Sequence, residues 1–239
     1  MKIFAWHKSG RLTNFGDAIT PEIFKHFNIE HEIVPSARLA DALCIGSVIS
    51  FCNLKNDMIV LGSGSMKSGE RLNPRSDFRF VRGPLTRKNI INSGGNCPEI
   101  YGDPALLLPL FCKESKKEHD IGIIPHYVDY EDMKKEFSRF NVIQVLNEDP
   151  LSVAKEITKC RSIVSTSLHG IIAAHAYGIP AGWLRYSDRL AGDDVKFSDH
   201  FSSMGIETHM ATKIYDVKLS IGTLPDLNKI SNEFLKLKK

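Results

Sequence analysis

Cysteine is scarce and odd in number: five residues, Cys44, Cys52, Cys97, Cys112 and Cys160, with no Cys-x-x-Cys pair. That set argues against a disulfide framework and against a structural zinc site. No apolar run approaches the roughly 20 residues needed to span a bilayer. The opening Met1-Lys2-Ile3-Phe4-Ala5-Trp6-His7 reads as a buried strand and lacks the long apolar core of a signal peptide. The expectation is a cytoplasmic protein with at most peripheral contact at the inner face of the membrane. An excess of one charge is also missing, since 31 basic residues against 28 acidic ones leave +3. That is too little to call for a nucleic-acid partner. The Lys236, Lys238 and Lys239 tail reads as a solvated helix end, favoured there by the helix dipole. Internal repeats and low-complexity segments are absent. So are a Gly-x-x-x-x-Gly-Lys-Ser/Thr loop, a Gly-x-Ser-x-Gly elbow and an Asp-x-Asp element that would hold a nucleotide-bound metal.

What is present is the mix of a folded protein, 42% hydrophobic and 25% charged. Its 239 residues suffice for one large domain or two small ones. Apolar runs at 2–6, 42–45, 58–61 and 78–81 read as strands, each ending in a polar or glycine-containing turn. Their lack of polar alternation predicts strands covered on both faces, as in a parallel sheet. The pattern then repeats, with strands at 121–124, 141–146, 162–165 and 179–184. Helices are predicted at 131–140, after the Asp149-Pro150 cap, and at 168–177 before Gly178. These are successive βαβ units. The predicted fold is α/β, with two Rossmann-like doubly wound domains, 1–112 and 113–223, facing a cleft at their strand C-terminal ends. The boundary falls in 106–117, which contains Pro109 and ends in a charged run, and 224–239 reads as a closing helix.

Three turns look built for anions: Asn14-Phe15-Gly16-Asp17, Gly62-Ser63-Gly64-Ser65 and Thr166-Ser167-Leu168-His169-Gly170. Glycine lets backbone approach a ligand, and free N–H groups at a helix start bind phosphate or carboxylate. One such turn is usually only a tight turn; three at one sheet edge point to a binding cleft. Asn14, Asp17, Gly62, Ser63, Gly64, Ser65, Ser167 and Leu168 are therefore candidate substrate contacts. His169 falls in the first turn of its helix, where the dipole favours the neutral ring. An arriving phosphate dianion would favour protonation, which suits acid–base chemistry; the alternative is a histidine that only packs the helix start. Arg82 ends a predicted strand before Gly83-Pro84, placed to hold an anion with two bonds or to form an interdomain salt bridge. His126 sits just past a strand and faces the same presumed cleft. His175 lies on another face of its helix and reads as packed or surface, Asp103 as a turn residue bonding its own backbone, and Asp193-Asp194 as solvated.

Taken in order, Asn14-Phe15-Gly16-Asp17, Gly62-Ser63-Gly64-Ser65, Val81-Arg82-Gly83-Pro84-Leu85-Thr86, Gly102-Asp103-Pro104-Ala105 and Ser167-Leu168-His169-Gly170 resemble the polysaccharide pyruvyl transferase family. Ala173-x-x-x-x-Gly178-Ile179-Pro180 and Lys196-Phe197-Ser198-Asp199 extend the resemblance to residue 199. It implies a GT-B-like pair of domains and transfer of pyruvate from phosphoenolpyruvate onto a sugar of a cell-surface glycan or its precursor, as a ketal. The acceptor would be lipid-linked or nucleotide-linked, and neither cofactor nor metal is expected. The resemblance gives His169 and Arg82 catalytic roles. Some members carry an arginine where this chain has Ser167, and Arg185 or Arg189 is a candidate to supply that contact. The alternatives are a GT-B glycosyltransferase with a nucleotide-sugar donor and a non-catalytic glycan- or nucleotide-binding module.

Overall fold

The structure is a computed structural model that describes residues 1–5 and 13–238. In the first half the elements are β1 (Lys2–Phe4), β2 (Thr13–Asn14), α1 (Phe15–His26), β3 (Glu32–Val34), β4 (Ala42–Leu43), β5 (Ile59–Leu61), β6 (Asp77–Phe80) and α2 (Pro84–Asn92). A 3-10 segment, Pro104–Leu110, leads to β7 (His119–Ile124), α3 (Tyr130–Glu136), β8 (Asn141–Val142), β9 (Leu146–Asn147) and α4 (Pro150–Thr158). Then follow β10 (Cys160–Ser165), α5 (Leu168–Ala176), β11 (Ala181–Leu184), α6 (Val195–Ser203), β12 (Met210–Ala211) and α7 (Leu227–Leu235).

The strands form two five-stranded sheets, β3-β1-β4-β5-β6 and β12-β11-β10-β7-β8, with every ladder parallel. This is the Rossmann-like α/β pattern that the unalternated apolar runs imply: Val60 and Leu61 in β5, and Ile163 and Val164 in β10, are buried. The run at 141–146 does not stay one strand. β8 remains in the second sheet, while β9 turns away to pair antiparallel with β2, and Phe15 N donates to Val145 O at 2.8 Å. The Gly62-Ser63-Gly64-Ser65 turn opens no helix, since the next regular α-helix is α2, behind Pro84. Trp6, counted in the first strand, lies outside the described residues.

One continuous apolar core joins both halves. It includes Phe15, Ile19, Ile23 and Phe24 of α1, Leu106 to Leu108, Ile171 and Ile172 of α5, and Phe197 of α6. Ile230 and Phe234 of α7 are fully buried in it. The Phe234 ring stacks on Phe27 at 5.1 Å and meets Phe24 and Phe80 edge-on at 5.8 and 5.9 Å, so the last helix packs on the first sheet's side. All five thiols are buried and unpaired. No helix among the described residues is long and apolar enough to cross a membrane.

Candidate functional site

Residues from both halves line a pocket of about 360 Å³. Asn14 and Asp17 come from the start of α1, and Gly46 and Ser47 from the turn after β4. His126 follows β7, Ser167, Leu168 and His169 open α5, and Arg189 and Lys196 come from the segment after β11 and from α6. The turn of Gly46 and Ser47, His126 and the α5 start follow the C-terminal ends of β4, β7 and β10, where open parallel sheets place their ligands. A larger hollow of about 620 Å³ lies beside Phe137 and Tyr186, but its charged residues Glu136, Arg139 and Lys213 are all exposed. Convergence of buried polar groups, rather than volume, singles out the first pocket.

His169 is held on two sides. Its Nε2 lies 3.5 Å from Asp103 Oδ2, and neither atom has a hydrogen-bond partner among the described residues although both are buried. The other Asp103 oxygen accepts from Ala105 N at 2.9 Å and so caps the Pro104–Leu110 turn, which fixes the carboxylate's direction. The ring packs against the backbone of α1: a Cβ on Gly16 would fall 2.1 Å from His169 Nδ1. Glycine at position 16 is therefore a steric requirement of the histidine.

Burial sets the charges here. Asp17 is raised to about 6 by desolvation, with the His169 charge and the Asn14 side chain pulling the other way. His126 is lowered to about 4 by desolvation, assisted by Lys196. Lys196 is lowered to about 8, again by desolvation first and then by Arg82. The Lys196 Nζ donates to Ala191 O at 3.2 Å and lies 5.6 Å over the Phe197 ring. Arg189 is anchored by Asp129 and Asp132 at 2.8 and 2.7 Å. Ser167, at the N-cap of α5, makes no side-chain cap bond; its carbonyl accepts from Gly170 N and Ile171 N, and the N–H groups of Leu168 and His169 stand ahead of these first helical bonds. Among the described residues the pocket thus gathers two cations, Arg189 and Lys196, and the α5 start around the imidazoles of His126 and His169 and the carboxyl group of Asp17.

Not every expected contact reaches this pocket. Arg82 is completely enclosed: Nε donates to Asp199 Oδ2 at 3.1 Å, Nη1 to Ser47 Oγ at 2.8 Å and Nη2 to Ser65 O at 2.8 Å. The expectation of a direct anion contact is corrected to a buried strut. Asp199, on α6, also accepts from Leu85 N, Thr86 N and Thr86 Oγ1 and so caps α2 from the other half. Gly62, Ser63, Gly64 and Ser65 are likewise behind the pocket wall. Ser63 donates to Gly46 O, Ser65 binds Asn89 and Thr86, and a Cβ on Gly64 would fall 2.2 Å from Arg82 Cζ. Arg185 turns to Asp188 and Asp194 on the surface, which leaves Arg189 as the pocket arginine among the described residues.

Asp103 and Lys196 were not singled out as functional from sequence. Both stood in quoted motifs, but only packing brings Asp103 to His169 and turns Lys196 into the pocket. His175 is a packed residue, its Nδ1 3.0 Å from His200 Nε2.

Comparison with known proteins agrees with the residue pattern. The chain is 36% identical over 173 residues to an uncharacterized protein of Acanthamoeba polyphaga mimivirus, covering 68% of this chain and 60% of that one. The family described as polysaccharide pyruvyl transferase matches residues 40–188, more than half of the chain. That span contains Asp103, His126, Ser167 and His169, so this chain belongs to the polysaccharide pyruvyl transferase family.

Proposed function

We propose that this chain transfers pyruvate from phosphoenolpyruvate to two hydroxyls of a saccharide, on the cytoplasmic side of the membrane, forming a cyclic ketal on a polysaccharide precursor. The two sheets are read as a GT-B-like pair, and the acceptor as lipid-linked or nucleotide-linked. The observation that carries this reading is His169 at an open helix start, backed by the Asp103 carboxylate and sharing its pocket with Lys196 and Arg189. The donor's phosphate and carboxylate need cations and helix N–H groups, which these residues offer. Protonated His169 gives its proton to the methylene carbon, which makes the adjacent carbon electrophilic. A sugar hydroxyl adds there, phosphate leaves, and a second hydroxyl closes the ketal. Asp103 stabilises the imidazolium and holds the ring in one orientation. No step needs a metal ion.

The test combines calorimetry with phosphoenolpyruvate and a phosphate-release assay that adds p-nitrophenyl glycosides of galactose, glucose and mannose as acceptors. Acceptor-dependent phosphate release is expected, and His169→Asn should lower it by about 10²–10⁴ while the fold is kept. Absence of phosphoenolpyruvate binding would overturn the reading, and binding of uridine diphosphate in its place would favour a nucleotide-sugar donor.

A further inference from the structure

The proposed reaction moves protons in two directions. One must reach the methylene carbon, and one must leave each attacking hydroxyl. A protonated imidazole has no lone pair for the hydroxyl until its own proton has gone, so concerted addition of H and OR across the double bond calls for a separate base. Asp17 is the carboxyl group the pocket offers. It lies in the first turn of α1, next to the Gly16 backbone on which the His169 ring rests, and it lines the same pocket as the α5 start. Asn14 Nδ2 donates to its Oδ2 at 2.7 Å, and its Oδ1 is packed close to Gly46. Among the described residues no lysine or arginine forms an ion pair with it.

Resting on the pyruvyl-transfer reading, we propose that Asp17 is the general base that accepts the proton of the attacking saccharide hydroxyl, opposite His169 as the acid. In the first step the C2=C3 electron pair of phosphoenolpyruvate takes the His169 proton to form a methyl group. The acceptor oxygen bonds C2, and its proton passes to Asp17. In the second step the C2–O bond to phosphate breaks and the leaving phosphate takes the Asp17 proton. The second hydroxyl then bonds C2 and returns its proton to His169. Both groups are restored, and the products are the ketal and one phosphate.

The groups that face Asp17 decide whether it can serve. His169 from α5 lowers its affinity for protons and Asp103 raises it, while burial dominates and brings the carboxyl to about 6. Lys196, Arg189 and His126 line the same pocket and will move this value when the donor's charge arrives. A carboxylate titrating near 6 is charged at neutral pH and more basic than an ordinary one, which suits a hydroxyl proton.

The experiment compares wild type, Asp17→Asn and Asp17→Glu with phosphoenolpyruvate and the same p-nitrophenyl glycosides. Asp17→Asn should bind phosphoenolpyruvate within about threefold of wild type and melt no lower, while its turnover falls by about 10²–10⁴. The acid limb of the wild-type profile, expected near pH 6, should vanish in Asp17→Asn and persist in Asp17→Glu. Turnover of Asp17→Asn within threefold of wild type, or an acid limb that survives in it, overturns the role of Asp17 alone. A wild type that does not bind phosphoenolpyruvate overturns the reading beneath it as well.

Discussion

Replacing Asp199 by alanine removes a carboxylate that is wholly enclosed and accepts four hydrogen bonds, from Arg82 Nε, Leu85 N, Thr86 N and Thr86 Oγ1. Arg82 cannot lose its proton, and it cannot reach water from a site with no exposed surface. Stranding one member of such a pair costs about 3–5 kcal/mol. Loss of the α2 cap, about 0.5–2 kcal/mol, is part of the same damage and is not added to it. For a chain of this size each kcal/mol moves Tm by about 2–4 °C, so Asp199→Ala should melt roughly 6–20 °C below wild type. That is a large part of a total stability of about 5–15 kcal/mol. Thermal and urea unfolding followed by circular dichroism at neutral pH would measure it. Arg82→Lys tests the same network from the other side, because one ammonium cannot span Asp199, Ser47 and the Ser65 carbonyl together. A loss of about 1–3 kcal/mol is expected, with donor affinity nearly unchanged. A Tm drop under about 3 °C for Asp199→Ala would refute the strut. So would an Arg82→Lys variant that keeps its Tm but loses phosphoenolpyruvate binding in calorimetry, which would return Arg82 to direct anion contact.

Gly16→Ala would place a methyl 2.1 Å from His169 Nδ1, so the ring must swing away. Turnover should fall as far as in His169→Asn, and an unchanged rate would show that the ring position is immaterial. Asp17→Asn should raise stability at pH 7, because the raised folded pKa means the charged carboxylate costs stability above about 6; the shift sets a ceiling of about 3 kcal/mol, and a lower Tm would contradict it. The buried His175, held at about 4, and His200, held well below its ordinary range, act through their neutral forms. Their folded values lie below the unfolded one, so their stabilisation is complete above about 6.5 and drains as pH falls toward 4, by up to about 1.4 kcal/mol per pH unit for each. A His200→Gln variant whose stability follows the wild-type slope over that window would show that the pair does not govern it.

The sequence by itself determined the class of the fold and pointed to the turns that line the candidate pocket. Runs such as Met58 to Leu61 and Ile121 to Ile124 carry no polar alternation, and burial on both faces follows from that alone. The helix start at Ser167 and His169 was legible because cap and turn chemistry is local. The shortest elements were not legible: β3 and β12 span three and two residues, too few for a period, and α6 starts from Asp194 in a left-handed conformation with φ of 67°. Tertiary structure alone decided the rest. Arg82 reads the same whether it faces a ligand or Asp199, which lies 117 positions away in sequence. Asp103 looks like any turn residue until Pro104–Leu110 packs on α5 and brings its second oxygen to His169. The same packing turns Lys196 and Asp17 into the pocket and lifts water from them. Local chemistry places a residue at a turn or cap, but the partner of a buried charge is set by how two sheets pack, which no short window of sequence contains.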